Sequence, residues 1–249
     1  KEYSKERKTC IDNVAEAVIE EKPMEEVDVA VLLDRFAYAR SVDIATYERN
    51  KEAALEETKT IIFCKNTDRI CVFTNTGQMH MLKVLDLPFG KFRDKGIPID
   101  NISKFDSSKE DILLIESVEN LRGKQVLFGT EQGMLKKVDG EEFDVSKRST
   151  AATKLVDSDQ LLLCAVVSDT DTIVMHSKRQ VFLRILVSSI PNKKKAAIGV
   201  RGMKLEKTDI LEMIYLVNDE NENTIQVKGK PLALNRLHIG TRDTKGVKK

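Results

Sequence analysis

A unit of about fifty residues recurs along this chain, and that period constrains the fold more than any other feature. Each unit contains a β-branched run, a turn, a second run that closes with a basic residue, and then a basic loop. The closing residues, spaced by 43, 54, 47 and 52 positions, are Arg40, Lys83, Lys137, Arg184 and Arg236. A second marker, an Asp that opens an apolar run, recurs at Asp111, Asp159 and Asp209. Two markers with one period predict a repeat architecture.

The runs themselves are short and rich in β-branched residues, as in Ile70–Phe73, Leu161–Val167 and Ile210–Leu216. Asp, Asn, Gly and Ser bound them, which is typical of strands. No long amphipathic helix interrupts the series after Val27. A period near 50 with about four strands predicts an all-β, propeller-like disc of about five four-stranded blades. The chain has no Trp and lacks the WD-type and kelch-type signatures.

The first residues show a different hydrophobic pattern from the rest of the chain. Apolar residues at helical spacing predict a short helix over Asp12–Glu21, which Pro23 ends. We therefore expect two parts, a helical segment over residues 1–24 and the β body over residues 25–249. The chain begins at Lys1 without a Met, which we interpret as a piece of a longer protein.

Charge is nearly balanced overall, with 41 Lys and Arg against 40 Asp and Glu. Its distribution is not balanced, because the loop that closes each unit is net positive. Pro191–Leu205 carries five bases and no acid, and Pro88–Gly96, Val145–Lys154 and Gly240–Lys249 are also net positive. Arg40–Thr60 differs, with four bases against five acids. Loops at one place in every unit predict a basic belt, the footprint expected for duplex backbone.

The candidate contacts to duplex DNA are the basic residues of these loops and of the strand ends before them. They are Arg49, Lys51, Lys83, Lys91, Arg93, Lys95, Lys136, Lys137, Lys147, Arg148, Arg184, Lys193, Lys194, Lys195, Arg201, Lys204, Arg236, Arg242 and Lys245. Aromatic residues are only 5% of the chain and are scarce in these loops, so stacking on single strands is not indicated. Lys-rich turns that merely keep a repeat protein in solution are one alternative. A scaffold whose basic rim meets acidic proteins is another.

Other chemistry finds little support. The three histidines, His80, His176 and His238, lie in different units without neighbouring acidic or Cys ligands, so no metal site is predicted. Four cysteines show no Cys-x-x-Cys spacing, and Cys64 and Cys71, which lie in apolar runs, are interpreted as reduced core residues, in keeping with a cytosolic protein. No apolar run approaches the length that spans a bilayer. We predict no catalytic residues and no cofactor for this part of the protein.

The ordered motifs resemble a known family. Asp68-Arg69-Ile70-Cys71-Val72-Phe73-Thr74, Gly133-x-x-Lys136-Lys137 and Gly199-Val200-Arg201-Gly202-Met203-Lys204-Leu205 resemble successive blades in the C-terminal domain of bacterial type IIA topoisomerase A subunits. Lys5-Glu6-Arg7-Lys8-Thr9 is similar to the exit from the core enzyme. The resemblance covers nearly the whole chain. It implies a β-pinwheel, a disc whose blades exchange a hairpin and whose rim binds duplex DNA, with residues 1–24 as the linker from the core.

The resemblance also implies the protein's role. This domain would bind and bend duplex DNA, without sequence preference, for a strand-passing core that works with an ATPase B-type subunit in a heterotetramer. The catalytic tyrosine, ATP and Mg²⁺ would belong to other parts of that bacterial, cytoplasmic, nucleoid-associated isomerase.

One motif departs from the family. The A subunits of gyrases carry a Gln-Arg-Arg-Gly-Gly-Lys-Gly box in the first blade, where this chain has Asn50-Lys51-Glu52-Ala53-Ala54-Leu55-Glu56. A loop without Gly brings its backbone less close to phosphate, and the added carboxylates repel it. This favours a topoisomerase IV-like domain, for decatenation and relaxation, over a gyrase domain that wraps DNA for negative supercoiling. A propeller-like protein scaffold remains the alternative of another class.

Overall fold

The computed structural model describes residues 25–218 and 223–249. The helix predicted over Asp12–Glu21 lies outside the described residues, as does Cys10. Strands are the main regular elements of the described part, as the sequence predicts. In chain order they are β1 (Asp28–Asp34), β2 (Tyr38–Asp43), β3 (Thr58–Lys65), β4 (Arg69–Thr74), β5 (Gln78–Lys83), β6 (Ile97–Pro98), β7 (Ile112–Ser117), β8 (Gln125–Thr130), β9 (Met134–Asp139), β10 (Ser149–Ala151), β11 (Leu161–Val167), β12 (Thr172–Ser177), β13 (Val181–Leu186), β14 (Val200–Arg201), β15 (Leu211–Val217), β16 (Thr224–Val227), β17 (Lys230–Ala233) and β18 (Val247–Lys248).

The helices of the described residues are short. They are α1 (Ile44–Arg49), α2 (Lys51–Glu57), α3 (Ile99–Ile102) and α4 (Val118–Leu121), with 3-10 turns η1 (Val84–Asp86), η2 (Gly140–Phe143), η3 (Val187–Ser189) and η4 (Leu234–Arg236). No helix among these residues is long and apolar enough to cross a membrane.

The strands form four antiparallel sheets of four strands each. Their orders are β3-β1-β2-β6, β7-β4-β5-β10, β11-β8-β9-β14 and β15-β12-β13-β18. In every sheet we call the four positions C, A, B and D in that order. A fifth unit consists of the hairpin β16–β17, which holds only an A and a B strand within the described ranges. The all-β fold class is confirmed, with four complete blades and one two-stranded unit in place of five four-stranded blades.

The D strand interlocks neighbouring sheets. The chain makes the A–B hairpin of one sheet, then crosses back to supply the D strand of the preceding sheet, and only then returns as its own C strand. Thus β6 follows the β4–β5 hairpin but pairs with β2 of the first sheet, with Ala39 opposite Ile97. The same path gives β10, β14 and β18 their places. The exchange of chain between blades that the resemblance implies is therefore confirmed.

Side chains alternate between the two faces of each A strand, and both faces are buried. In β4, Ile70 and Val72 pack towards the first sheet, whereas Cys71 and Phe73 pack towards the third. Phe73 lies edge-on to Phe143, with ring centroids 4.9 Å apart. Burying one such side chain contributes about 1.5–3 kcal/mol, so the sheets stack through continuous apolar layers.

The two ends of the stack are covered differently. Helices α1 and α2 pack on the outer face of the first sheet, where Tyr47 and Ala54 are buried against its strands. The hairpin β16–β17 packs on the outer face of the fourth sheet through Val227 and the adjoining Leu234. Within the described residues, no sheet precedes the first unit to receive a D strand from it. Its segment between B and C therefore folds back as the two helices.

The turns between A and B strands show the repeat more accurately than the closing basic residues. Each of the first four turns ends in a residue with positive φ: Ala37 (61°), Gly77 (74°), Gly133 (79°) and Gln180 (63°). The closing basic residues do not occupy one register. Arg40 is the third residue of its strand and Lys83 the sixth, whereas Arg236 lies in a 3-10 turn. The closing basic residues therefore predict the repeat period correctly, although they do not occupy equivalent positions in the units.

Glycine permits the D strands to approach their B strands. A Cβ added at Gly96, Gly199 or Gly246 would lie 2.6, 2.7 or 2.5 Å from the carbonyl oxygen of Ala39, Leu135 or Phe182, respectively. Each of these carbonyls belongs to the second residue of a B strand. The second sheet lacks this glycine, and Ser149 pairs there with His80 as an ordinary strand residue.

We expect Gly199→Ala to lower the free energy of unfolding by about 1–3 kcal/mol. The added methyl group would clash with the backbone of Leu135, which cannot move aside as a flexible side chain can. The neighbouring Ile198→Ala removes atoms from a partly exposed side chain and should change stability by about 0.5 kcal/mol at most. Urea unfolding of both variants tests this. Equal stability of the two variants would contradict close packing of the D strand.

Candidate nucleic-acid interface

The basic loops of the second to fifth units occupy one place in each unit, whereas the first unit has helices α1 and α2 there. Each lies between the 3-10 turn that follows a B strand and the D strand of the preceding sheet. We call residues 88–96, 144–148, 190–199 and 237–246 the D-edge loops. They lie beside the outer strand of the first, second, third and fourth sheets, respectively, so each sheet carries one basic loop at the same edge.

Backbone hydrogen bonds fix these loops to the B strand beside them. The N–H of Ser41 donates to the Pro88 carbonyl at 2.9 Å, and the N–H of Lys137 donates to the Pro191 carbonyl at 3.1 Å. In the second sheet, Met81 N–H donates to the Arg148 carbonyl at 2.9 Å. The loops are therefore docked along the sheet edge, which determines where their side chains point.

Lys136 is the strongest side-chain anchor, and its position corrects its predicted role. It is 1% exposed, and its Nζ donates to the carbonyl oxygens of Lys194, Lys195 and Ala197 at 3.1, 2.8 and 2.8 Å. The pKa of Lys136 is lowered from 10.5 to about 8, chiefly because burial disfavours the charged form; Glu142 opposes this shift and Lys193 adds to it. Lys136 holds the third D-edge loop and leaves no donor for DNA.

Lys137 and Arg184 are also engaged within the protein. The Lys137 side chain is 6% exposed and its ammonium pairs with Asp169, so a contact with DNA would require this ion pair to open. Arg184 donates from Nε to Thr172 at 3.0 Å and from its guanidinium to carbonyls of Asn235 and Leu237. It therefore anchors the fourth D-edge loop. Arg40 likewise contacts the first D-edge loop, because its guanidinium lies over the Phe92 ring, 5.3 Å from the ring centroid.

Acidic residues neutralise part of the third D-edge loop. Lys194 pairs with Glu142 at 2.9 Å, and the Lys195 N–H donates to the other carboxylate oxygen at 2.8 Å. Burial alone raises the pKa of Glu142, but the Lys195 N–H and the Lys194 ammonium lower it below its usual value. Lys195 Nζ donates to the Glu142 carbonyl at 2.9 Å, and Lys193 Nζ donates to the Ile198 carbonyl at 3.3 Å.

Asp243 of the fourth loop neutralises a further cation of the stretch Pro191–Leu205, Arg201 of β14. Arg201 forms a two-point ion pair with Asp243, and this hydrogen-bonded pair holds the pKa of Asp243 below its usual range. Arg242 donates to the Arg201 carbonyl at 3.0 Å. Charge counting along the sequence places Pro191–Leu205 first among the basic loops. In the structure most of its cations have protein partners.

The first and second D-edge loops keep their charges available. Lys91, Arg93 and Lys95 are exposed in the first, and Lys147 and Arg148 in the second, and none of these five forms a side-chain ion pair within the described ranges. Asp94, the acid of the first loop, accepts the Lys91 N–H through Oδ2 at 2.8 Å and so stabilises the turn. Four further predicted residues are exposed on or near this edge: Lys83, Lys204, Arg236 and Lys245.

Arg49 and Lys51 lie outside this edge, on the helices that cover the first sheet. Arg49 donates to Ala45 and Thr46 within its own helix, and Lys51 lies 3.9 Å from Glu48. The segment expected to be a degenerate loop is helix α2, because Ala, Leu and Glu are strong helix formers and no Gly interrupts them. Its buried Ala54 packs on the first sheet.

Metal and thiol chemistry gain no support within residues 25–218 and 223–249. No group of three or more His, Cys, Asp or Glu side chains there is arranged to hold an ion. The described cysteines, Cys64, Cys71 and Cys164, are free thiols. Burial raises the pKa of the first two to about 12, so their thiols stay protonated near neutral pH.

Sequence reasoning missed two acids that neutralise cations of the stretch Pro191–Leu205. They are Glu142 and Asp243. A signal for them exists, because Glu142 precedes Lys195 by 53 residues and Asp243 follows Arg201 by 42, each near one repeat period. Residues one period apart lie on adjacent sheets, so an acid at that distance is a candidate partner.

The family model of the DNA gyrase C-terminal domain, a beta-propeller, matches residues 124–168 and 171–218. These are the third and fourth units, each beginning just before an A strand and ending just after a C strand. Among curated relatives, the DNA gyrase A protein of Lawsonia intracellularis is 26% identical over 88% of the chain, and that of Escherichia coli K12 is 27% identical over 99%. The chain spans less than a third of the length of either relative.

Solved structures share the fold. The C-terminal domain of a DNA topoisomerase IV superposes with a TM-score of 0.77 at 21% identity, covering 90% of this chain and 73% of that one. The Escherichia coli ParC C-terminal domain gives 0.69 at 17% identity, covering 90% and 94%. A DNA gyrase A C-terminal domain gives 0.56 at 16%, covering 88% and 76%. The resemblance drawn from the sequence motifs is confirmed.

The anchoring role of Lys136 can be measured by its titration. We expect its Nζ to lose its proton near pH 8, because the buried site disfavours the charged form. The unfolded chain then binds more protons than the folded one between pH 8 and 10.5, so stability should rise with pH across that window relative to Lys136→Met. Side-chain ¹⁵N NMR, with Lys136→Arg to assign the signal, gives the pKa. A titration above pH 10 would contradict the buried placement.

Proposed function

We propose that this chain, which shares its repeat and its fold with the C-terminal domains of type IIA topoisomerase A subunits, binds duplex DNA along its D edge. The observation that carries the proposal is the placement of one basic loop at the same edge of four successive sheets. Phosphates along a duplex form a continuous line of negative charge, and a row of cations on one edge matches it. Such contacts are to the backbone, so binding is sequence-tolerant.

The free cations suggest where the duplex is held most tightly. Lys91, Arg93 and Lys95 of the first loop and Lys147 and Arg148 of the second have no acidic side chain to displace. Lys194 and Arg201 of the stretch Pro191–Leu205 must first give up Glu142 and Asp243. DNA that follows successive sheets along this edge bends, and the bending energy is offset by the contacts that each added loop provides.

In this proposal the domain is non-catalytic. It presents a bent segment to the strand-passing core of the parent enzyme, which works in the bacterial cytoplasm with an ATP-dependent B-type subunit. Strand passage and ATP hydrolysis would take place in those other parts.

We favour a topoisomerase IV-like role because helix α2 replaces the glycine-containing box of gyrase. A helix that packs on the sheet through Ala54 and exposes Glu52, Glu56 and Glu57 offers DNA neither a close backbone nor a positive surface. The second candidate is a gyrase-like domain that wraps DNA. The gyrase family match in the third and fourth units and the names of the curated relatives favour it.

The salt dependence of binding tests the interface. Log affinity should fall linearly with log salt concentration, at about 0.9 per phosphate neutralised. Replacing Lys91, Arg93 and Lys95 with Ala should reduce that slope by up to about 2.7. A control that removes three exposed cations that are outside the D-edge loops and form no ion pair within the described residues, Lys59→Ala, Lys104→Ala and Lys207→Ala, should change it much less. Equal slopes for the two triple variants would exclude the first D-edge loop as a contact.

The third loop provides an internal comparison in the same assay. Replacing Lys193, Lys194 and Lys195 with Ala should reduce the slope less than the first-loop variant does, because Glu142 already engages two of the three. Glu142→Gln keeps an oxygen acceptor but removes the charge, so it should strengthen binding and steepen the slope by about 0.9. The neighbouring Glu141→Gln controls for the change in net charge. A protein scaffold would bind random duplex in none of these forms.

The topological consequence of binding separates the two candidates. Nicked circular DNA sealed by ligase in the presence of the protein retains any linking change that wrapping imposes. A topoisomerase IV-like domain should leave the topoisomer distribution near that of free DNA, whereas a gyrase-like domain should shift it with protein concentration. A large shift would overturn the role that we favour while leaving duplex binding intact.

A further inference from the structure

The first A–B turn displays two aromatic rings that the apolar layers do not use. Phe36 is 83% exposed at the tip of the turn, and Tyr38 is 40% exposed at the start of β2. The position of Phe36 is polar in the next three turns, as Thr76, Gln132 and Arg179, and the position of Tyr38 holds no other aromatic residue, being Gln78, Met134 and Val181. The first blade therefore departs from the repeat at this point.

The turn that presents these rings is fixed in place. Asp34 Oδ1 accepts the backbone N–H groups of Phe36 at 2.8 Å and Tyr38 at 2.9 Å, and Ala37 has φ of 61°. The backbone position of both rings is thus set by a carboxylate and a tight turn. A preorganised aromatic surface loses little freedom when a flat ligand lies on it.

Both rings border a groove at the D edge of the first sheet. The groove has a volume of about 510 Å³, within the usual range for small-molecule sites, and the first D-edge loop forms its other wall. Phe92, Arg93 and Lys95 of that loop line it together with Phe36 and Tyr38. No sequence pattern indicates this meeting, because the two segments lie in different units of the repeat.

The acidic side chains of the groove have partners within the protein, whereas two of its cations form no ion pair within the described residues. Its three acids already have partners: Asp34 accepts the turn N–H groups, Asp94 accepts the Lys91 N–H, and Glu57 lies 3.7 Å from Arg40. Arg93 and Lys95 are exposed and form no side-chain ion pair within the described residues. The groove therefore offers two aromatic faces beside two available cations.

We propose that this groove binds an unpaired nucleotide segment of single-stranded DNA, with bases stacked on Phe36 and Tyr38 and phosphates held by Arg93 and Lys95. Every base has a π-face, so stacking on exposed rings tolerates any sequence. The inference adds to the proposed duplex binding, which uses the backbone alone. An apolar protein segment is the less favoured occupant, because two unpaired cations beside the rings match a polyanion better.

The test compares single-stranded and duplex DNA on the same variants. We expect the wild-type chain to bind a twelve-nucleotide single strand carrying 2-aminopurine, with a fluorescence change on binding. Stacking is worth roughly a 5- to 150-fold change in affinity per base, so Phe36→Ala with Tyr38→Ala should weaken single-strand binding by at least about fivefold. Binding of a blunt twelve-base-pair duplex should stay within about twofold.

Two further variants separate ring stacking from other effects. Phe36→Leu with Tyr38→Leu keeps apolar surface but removes the ring faces, and it should weaken the single strand as the alanine pair does. Arg93→Ala with Lys95→Ala should weaken both forms of DNA. Since the two rings are exposed, thermal unfolding of the aromatic variants should match the wild type and verify that they fold.

The outcomes distinguish this inference from the proposed function. If the aromatic variants bind the single strand as well as the wild type does, or if the wild type binds only the duplex, the groove does not take bases and the inference fails with duplex binding intact. If the wild type binds the single strand through these rings but not the duplex, the inference stands and the proposed function fails.

Discussion

The structure depends on the docking of each D strand against the B strand of the preceding sheet. Each D strand pairs over only two or three residues, so its few backbone hydrogen bonds alone do not hold it in place. Three glycines let the backbones meet closely, and buried or half-buried cations hold the loop that leads in. Because every D strand belongs to the chain of the next unit, this contact joins the blades as well as completing them.

The same contact divides the basic residues into two groups with different physical roles. Lys136 and Arg184 donate to carbonyl oxygens of the docked segments, and Lys137 pairs with Asp169 between β11 and β12. A buried ammonium without such partners would cost several kcal/mol, so these residues are fixed to the fold. The loop residues beyond them point outward, and their charges are available to a polyanion. A count of positive charge along the sequence treats both groups alike.

Neutralisation by acids from the adjacent unit adds a second distinction. Glu142 and Asp243 pair with Lys194 and Arg201 of the stretch Pro191–Leu205, whereas the cations of the first and second loops form no ion pair within the described residues. Exposed ion pairs of this kind contribute little to stability, about 0–1 kcal/mol each. Their effect on a bound polyanion is larger, since each pair must open before its cation contacts phosphate. The charge on the D edge is therefore graded, and the strongest sites are not in the most basic stretch.

The sequence by itself determined the all-β body, the repeat of about fifty residues and the position of the basic loops in each unit. Those features are local, because strand runs, turn residues and loop charge are set by residues close in the chain. It also placed helix formers where the family has a glycine-rich box, although we expected a loop there. Only the tertiary structure decided which cations are free, since Lys136 and Glu142 find their partners 53–61 residues away on another unit. It alone brought Phe36 and Tyr38 beside Arg93 and Lys95, because the D strand crosses back to the preceding sheet and no local pattern records that crossing.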